Sequence, residues 1–264
     1  MTSIAVRVSD LDQRFKSSSG DVHALDEVSF DVRTGEFLSI VGPSGCGKST
    51  LLALISGLTA PTRGTITIDG EVVRSPQTQV GIVFQSPVLL AWRTVLDNVL
   101  LQFEMRGMPA APHRKRAREL LAAVGLEEFE RALPHQLSGG MRQRVSICRA
   151  LIHDPPLLLM DEPFGALDAI TRDQLTLDLQ QLWSRTRKTV VFITHSITEA
   201  VFLSDRILVM TPRPGRVDRM MDVNLPRPRR LALREDERLM TYSRLVRERF
   251  LAHGVLREEG EAES

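Results

Sequence analysis

The sequence predicts an α/β fold with a mostly parallel sheet at its core. Five short runs rich in Val, Ile, Leu and Phe recur along the chain, and helical patterns separate most of them. The runs are residues 37–41, 80–84, 157–160, 190–194 and 207–211. This alternation is typical of parallel strands joined by crossover helices, in which ligand sites lie at the carboxyl ends of the strands.

Two further regions differ from this pattern. Short alternating pieces at 4–8, 28–32 and 65–68, the last followed by the turn pair Asp69-Gly70, predict an antiparallel β subdomain beside the main sheet. Residues from about 94 to 153 are helical in character and predict an inserted helical subdomain. Its candidate helices are 94–105, 113–124 and 139–153.

The chain is predicted to divide near residue 225. Residues 1–225 form the main domain, and residues 226–264 supply a polar helix near 235–251 and an acidic tail at 258–264, which we predict to be disordered. Three arginines connect the two parts: Arg227, Arg229 and Arg230. We predict a solvated linker there, with contact to anionic lipid as the alternative.

Composition excludes several classes of protein. The net charge of +1 argues against a nucleic-acid-binding protein that depends on a strong positive field, so we expect no nucleic acid partner. No apolar run has the length of a signal peptide or a membrane span, and we expect a cytoplasmic protein. Cys46 and Cys148 lack the spacing of a disulfide framework or a zinc site.

The stretch "GPSGCGKST" at 42–50 follows the first apolar run and opens a helical pattern. It fits G-x-x-x-x-G-K-S/T, in which glycines let backbone N–H groups surround phosphate oxygens. We expect Lys48 to reach the terminal phosphates and the Ser49 hydroxyl to ligate Mg²⁺. The candidate nucleotide-binding residues of the loop are Gly42, Ser44, Gly45, Gly47, Lys48, Ser49 and Thr50.

The run "LLLMDEP" at 157–163 supplies an acidic pair at the end of an apolar strand. Asp161 is the candidate second anchor for Mg²⁺. Glu162, one residue further out, is the candidate general base that polarises an attacking water. The alternative is a strand end with two solvated charges.

Just upstream lies "LSGGMRQR" at 137–144, and with this motif the chain resembles the ATP-binding cassette of ABC transporters. The fold implied is a P-loop NTPase core with an antiparallel β subdomain and a helical subdomain. Ser138, Gly139 and Gly140 start a helix and can form a second phosphate-binding terminus. The resemblance implies an ATP-dependent homodimer, arranged head to tail, with each ATP between the phosphate loop of one subunit and this signature of the other.

Three more positions match the family pattern, and Phe15 departs from it. The resemblance implies that Gln85 in "GIVFQS" touches Mg²⁺ and relays the nucleotide state to the membrane partner. It places Asp168 in "GALD" near the dimer interface and His195 in "ITHSITEA" on the γ-phosphate. Phe15 takes the place of the tyrosine that usually stacks on adenine, a role that needs only a ring.

Several stretches resemble the importer cassettes of the nitrate, sulfonate and taurine group, although Ser86 and Ala91 depart from its pattern. The resembling stretches are Met141 of the signature, "LLAWRTVLDNV", "DEPFGALDAITR" and "MTPRPGRV". The implied function is ATP hydrolysis that powers uptake of a small solute through a separate membrane permease. The implied location is the inner face of the cell membrane, with a periplasmic or lipoprotein substrate-binding protein as an indirect partner.

Two smaller hypotheses concern single side chains. Leu89, Leu90 and Trp92 follow the glutamine position, where the family docks a helix of its membrane subunit; the alternative is that they pack the helical subdomain. Cys46 lies within the phosphate loop at a helix start, which predicts a favoured thiolate. An inert small residue is the alternative there.

Two other functions compete with transport. One is a soluble ABC-type ATPase that acts on nucleic acid or ribosomes, although such relatives generally carry two cassettes or a long coiled coil. The other is a P-loop kinase, which leaves "LSGGMRQR" unexplained.

Overall fold

The structure is a computed structural model that describes residues 3–16 and 20–256. The described strands are β1 (Ile4–Phe15), β2 (Val22–Arg33), β3 (Phe37–Val41), β4 (Arg63–Ile68), β5 (Glu71–Val72), β6 (Val80–Val83), β7 (Leu157–Asp161), β8 (Thr189–Ile193), β9 (Arg206–Met210) and β10 (Val217–Asp222). The described α-helices are α1 (Lys48–Ile55), α2 (Val95–Met105), α3 (Arg114–Ala123), α4 (Gly139–Leu151), α5 (Ala169–Thr186), α6 (Ile197–Leu203) and α7 (Glu237–Ala252). The predicted acidic tail lies outside the described residues.

The chain forms two compact units. The first combines Met1–Gln77 with Thr189–Ser264, and the second is Thr78–Lys188. The region predicted as a helical insertion falls inside the second unit, whereas the division near residue 225 stays a prediction.

The first unit contains the parallel strands that the sequence predicts. β3 pairs in parallel with both β8 and β9, and β9 pairs with β10 in antiparallel orientation. All five residues of β3 are buried, as are those of β8. Strands buried on both faces read as continuous apolar runs, which is why they were visible in the sequence.

A separate antiparallel sheet of the first unit has the order β2-β1-β4-β5. β1 and β2 each run for twelve residues, so the predicted pieces 4–8 and 28–32 were too short. The β1–β2 register shifts at four places. Bulges of this kind break the strict alternation on which a strand prediction depends.

The second unit combines a parallel strand pair with helices. β6 and β7 pair in parallel, and α2, α3 and α4 enclose an apolar core that includes Val99, Phe103, Leu121 and Val145. α5 has eighteen residues. The sequence analysis does not predict this helix, because its residues follow a mixed, polar pattern.

The C-terminal helix α7, which corresponds to the polar helix predicted near 235–251, packs on the first unit. Leu239, Val246 and Phe250 are its buried apolar side chains. Asp218 of β10 accepts two hydrogen bonds of 2.7 Å from the Arg249 guanidinium and lies 2.8 Å from Nε2 of His253. The Arg249 bonds lower the pKa of Asp218 to about 2, so this carboxylate stays charged and holds the end of α7.

Arg229 corrects the prediction of a solvated linker. Its side chain is only 2% exposed, and its guanidinium donates to backbone carbonyls at the end of α6 and near β10. The acceptors are Val201, Phe202, Ser204, Val223 and Leu225. Arg227 is also engaged, with Asp205 at 2.9 Å. The linker prediction is therefore wrong for both residues, because the carbonyls at the end of a buried helix need donors that the backbone cannot supply.

Arg229→Met is expected to lower the free energy of unfolding by about 3 kcal/mol, because it leaves several buried carbonyls without a donor. The measurement is urea unfolding of the full chain. The matched control is Arg230→Met, an exposed neighbour for which a change below about 0.5 kcal/mol is expected. Equal losses in the two variants would contradict the capping role.

Candidate nucleotide-binding site

The phosphate loop lies in the first unit, between the carboxyl end of β3 and the start of α1. Lys48 is buried, and its Nζ donates to the carbonyl oxygens of Gly42 at 2.9 Å and Pro43 at 3.0 Å. The ammonium group is thus held by the backbone of its own loop. Ser44, Gly45 and Ser49 are exposed, whereas Thr50 is half-buried. The loop therefore presents hydroxyls and peptide groups to solvent around a fixed positive charge.

Close backbone contacts fix the shape of this loop. Gly47 has φ 99°, and a Cβ atom there would lie 2.9 Å from the carbonyl oxygen of Ala24 in β2. A Cβ atom at Gly215, between β9 and β10, would overlap the carbonyl oxygen of Cys46. Only glycine fits either position. Gly215 was not a predicted site residue, since "PRPG" indicated no more than a turn.

His195 reaches the same edge of the sheet as the phosphate loop. It follows β8, which is parallel to β3 and adjacent to it, so the two strands end side by side. The His195 side chain is exposed. Its backbone is held on both sides, because the Thr194 hydroxyl donates to buried Glu199 at 2.7 Å and accepts from the Ser196 N–H at 3.0 Å. Sequence reasoning missed Glu199, which resembles any acidic residue in a helical first turn.

Phe15 is the last residue of β1, paired with Val22, and its ring is 40% exposed. A half-exposed ring at a strand end is available to stack on a flat ligand. The adenine role of Phe15 stays a prediction.

The second unit brings its own candidate residues to one sheet edge. β6 and β7 are parallel neighbours whose ends lie side by side. Gln85 comes shortly after β6, Asp161 is the last residue of β7, and Glu162 follows it. Gln85 is exposed, and the two carboxylates are half-buried. Glu162 adopts φ 43°, a left-handed conformation that is uncommon for residues other than glycine. Backbone strain of this kind concentrates at functional positions.

The signature residues begin α4. The Ser138 hydroxyl accepts from the Met141 N–H at 3.2 Å and caps the helix. Gly140 is buried, and a Cβ atom there would overlap the Thr171 side chain of α5. Ser138 is exposed and Gly139 half-buried, so the helix start faces solvent.

Asp168 caps the neighbouring helix α5 in the same way. Its Oδ1 accepts from the Thr171 N–H at 3.0 Å, and this backbone hydrogen bond is the main reason that the pKa of Asp168 is lowered. The side chain is exposed. Asp168 therefore has a structural role as an N-cap in addition to the interface role implied by the sequence.

Two buried polar side chains hold the loop after Gln85. Sequence reasoning missed both of them. The amide of Asn98 bonds to both the N–H and the carbonyl of Leu90, at 2.8 and 3.1 Å. The Arg149 guanidinium donates to the carbonyls of Pro87 and Val88, each at 2.7 Å. Neither residue belongs to a recognisable motif, because each acts through backbone that is distant in the sequence.

The same loop divides its apolar residues between core and surface. Leu89 packs against the core of α2, α3 and α4, as the packing alternative proposed. Leu90 is half-buried. Trp92 remains 76% exposed. A rigid loop that presents one large aromatic side chain has the character of an interaction site.

Asp12, His23 and Asp26 form a cluster of potential metal ligands in the first unit. His23 Nε2 lies 3.1 Å from an Asp12 oxygen and 3.8 Å from an Asp26 oxygen. Arg14 and Arg216 pair with the remaining carboxylate oxygens. Because each carboxylate already has a guanidinium partner, we interpret this cluster as a link between β1, β2 and the segment before β10.

The thiolate hypothesis for Cys46 is wrong, and the alternative of an inert small residue fits its burial. The thiol is fully buried, and burial raises its pKa above the ordinary value although Lys48 opposes the shift. Cys148 is also buried, with its pKa raised to about 12. The loop encloses the sulfur of Cys46, so the helix terminus does not favour a thiolate there.

The profile of the family described as ABC transporter matches residues 25–165, more than half of the chain. The chain belongs to the ABC transporter family. It therefore binds and hydrolyses ATP, and its fold is the P-loop NTPase cassette that the sequence predicts. Within residues 3–16 and 20–256, no helix combines the length and hydropathy needed to cross a bilayer.

Two relatives illustrate the transport branch. The taurine import ATP-binding protein TauB of Rhizobium johnstonii is 52% identical over 206 residues, which cover 78% of this chain and 79% of the relative. The aliphatic sulfonates import ATP-binding protein SsuB of Bacillus cereus is 40% identical over 226 residues, or 86% of this chain and 89% of the relative.

A solved structure supports the cassette fold. It is a dimeric ATP-binding cassette in a post-hydrolysis state, bound to ADP and phosphate, with a TM-score of 0.74 and 36% sequence identity. The match covers 84% of this chain and all of that one.

Both thiols are expected to resist modification in the folded protein. At pH 8, a disulfide-exchange reagent should react with Cys46 and Cys148 at least about tenfold more slowly than in urea, because burial lowers accessibility and thiolate fraction together. Cys46→Ser identifies the signal of each thiol. A fast phase in the nucleotide-free protein that MgATP suppresses and Cys46→Ser lacks would restore the reactive-thiol hypothesis.

Proposed function

We propose that this chain is the ATP-hydrolysing subunit of an importer for a small solute of the nitrate, sulfonate or taurine kind. The observation that carries the proposal is the exposed start of α4, where Ser138 caps a helix whose close packing requires Gly140. A phosphate loop alone serves many ATPases, whereas this second helix terminus belongs to cassettes that close on ATP in pairs. The taurine and sulfonate import proteins among the relatives support the solute class.

Each phosphate-contacting role is proposed from local geometry. Lys48, held by two carbonyls inside its loop, neutralises the terminal phosphates, and the peptide groups between Gly42 and Thr50 hold the remaining oxygens. His195 contacts the γ-phosphate from the neighbouring strand end, and Phe15 stacks on adenine.

Ser49, Gln85 and Asp161 are proposed as the Mg²⁺ ligands. Their hydroxyl, amide and carboxylate oxygens are the hard donors that Mg²⁺ prefers, and all three side chains are exposed or half-buried. Bound Mg²⁺ would neutralise charge on the β- and γ-phosphates during phosphoryl transfer.

Glu162 is proposed as the general base that orients the attacking water. Its left-handed backbone lies directly after Asp161, the last residue of β7. We infer that the two acidic residues serve different atoms: Asp161 the metal and Glu162 the water.

ATP binding is proposed to close two copies of the chain head to tail. The exposed Ser138 and the N-terminus of α4 are suited to the γ-phosphate bound by the other copy. Asp168, capping α5 beside α4, is proposed to lie near this interface.

Glu162→Gln is expected to bind ATP but to lose nearly all hydrolysis, about a hundredfold or more, because the water loses its base. Light scattering after size exclusion should then show a dimer with MgATP and a monomer without it. The control Glu128→Gln, an exposed carboxylate of the same unit, should keep wild-type hydrolysis.

A second variant tests the composite site directly. Adding Ser138→Arg to Glu162→Gln should leave ATP binding intact and keep the protein monomeric, because the added side chain blocks the start of α4. A fully active Glu162→Gln protein would contradict the assigned base, and an ATP-dependent dimer that tolerates Ser138→Arg would contradict the head-to-tail arrangement.

The surface around Trp92 is proposed to dock a cytoplasmic segment of a membrane permease. Asn98 and Arg149 hold the loop from within, so the exposed indole costs little conformational entropy on binding. Its position, seven residues after Gln85, would let the docked segment sense the nucleotide. We propose accordingly that the chain lies on the inner face of the cell membrane, with a substrate-binding protein as an indirect partner across it.

Trp92→Ala should weaken co-purification with the permease by about tenfold while basal ATP hydrolysis stays near wild type, since aromatic anchors dominate interface energy. Leu58→Ala, a large exposed apolar side chain of the first unit, is the matched control and should leave the complex unchanged. An intact complex with Trp92→Ala would contradict the docking surface.

A further inference from the structure

A cavity of about 360 Å³ lies between α6 and α7 in the first unit, apart from the phosphate loop. Its volume falls in the range of small-molecule sites. Its lining residues are Thr198, Arg234, Leu239, Met240, Ser243, Arg244 and Arg247. Among these described lining residues, three carry guanidinium groups and none is acidic, so the lining carries net positive charge.

Two of these guanidinium groups lack an ion pair within the part of the chain that the structure describes. On α7, Arg238 pairs with Asp236 and Arg249 pairs with Asp218. Arg244 and Arg247 have no such partner within residues 3–16 and 20–256, and both are exposed. Since they are three residues apart on one helix, their like charges repel each other. A bound anion would relieve that repulsion.

The third guanidinium comes from a different segment of the chain, the short 3-10 helix Leu231–Glu235 that precedes α7. Arg234 precedes α7, and its Cζ lies 5.7 Å from the centre of the Phe202 ring in α6. Arginines from two places in the fold therefore converge on one space, a pattern that differs from a row of solvated charges along a single helix.

Ser243 provides an independent sign of a ligand. It lines the cavity and is only 5% exposed, yet its hydroxyl has no hydrogen-bond partner among the described residues. A buried hydroxyl without a partner costs about 1–3 kcal/mol, and native structures rarely retain one without a reason. A bound oxyanion is an acceptor that this hydroxyl can use.

The remaining lining residues define the rest of the ligand. Leu239 and Met240 add an apolar wall, and Thr198 adds a second hydroxyl. An inorganic anion would leave the apolar wall without a partner, whereas an anion with a short hydrocarbon part satisfies both kinds of surface.

We propose that this cavity binds a small organic anion, of sulfonate or carboxylate chemistry with a short apolar chain. Arg244 and Arg247 hold the oxyanion, Ser243 donates to it, and Leu239 and Met240 contact the chain. The proposal is independent of the transported solute and of ATP hydrolysis.

The test is calorimetric titration of the full chain with butanesulfonate. Saturating ADP is present throughout and fills the α- and β-phosphate positions of the phosphate loop, and the arginine variants distinguish the cavity from the γ-phosphate position that stays open. Wild-type protein should bind one equivalent, and Arg244→Gln combined with Arg247→Gln should raise Kd about tenfold or more. Arg238→Gln, on the same helix but paired with Asp236, is the matched control and should change Kd less than about twofold.

Ser243→Ala separates ligand binding from folding. It should raise Kd several-fold, about threefold to tenfold, while the free energy of unfolding without ligand stays the same or rises, because an unpartnered buried hydroxyl is removed. A purely structural serine would not show this combination.

Sulfate is the second probe and should bind about tenfold more weakly than butanesulfonate, which gains the buried methylene groups. Absence of saturable binding to wild-type protein would overturn the proposal. So would equal Kd values for wild type and the double arginine variant. Equal affinity for the two anions would overturn the organic character assigned to the ligand.

Discussion

The close approach of backbone segments around the phosphate loop is the constraint on which the rest of the structure depends. Gly47 lies against β2, and Gly215 lies against the carbonyl of Cys46, so three segments distant in sequence meet without side chains between them. This contact leaves Lys48 enclosed by its own loop and the sulfur of Cys46 buried. A phosphate site needs such rigidity, because its N–H groups must be oriented before the ligand arrives.

Capped helix N-termini recur at the candidate functional positions of this protein. Ser138, Asp168 and Ser196 each accept a hydrogen bond from a backbone N–H in the first turn of a helix. Two of these caps carry functional assignments, and the third directly follows His195. A capped terminus combines a fixed backbone with a partial positive charge, which suits residues that must meet phosphate oxygens.

Buried arginines supply hydrogen-bond donors to backbone carbonyls at a helix end and in a loop. Arg229 donates to the carbonyls at the end of α6, and Arg149 donates to those of the loop that presents Trp92. Each guanidinium supplies several donors in a fixed geometry, so one side chain can order backbone that belongs to no helix or strand. The cavity beside α7 shows the opposite case, because Arg244 and Arg247 have no ion-pair partner among the described residues.

The sequence by itself determined the buried strands, the phosphate loop, the signature helix start and the family, because these depend on local patterns: apolar runs, fixed glycine spacing and capping residues. Only the tertiary structure decided that Arg229 and Cys46 are buried and that Leu89 packs against the core. It also decided the roles of Asn98 and Gly215. Their environments are formed by residues far away in the chain, and neither residue type nor spacing reveals which distant backbone will approach. Burial and partner are properties of the folded contact, and no local pattern carries them.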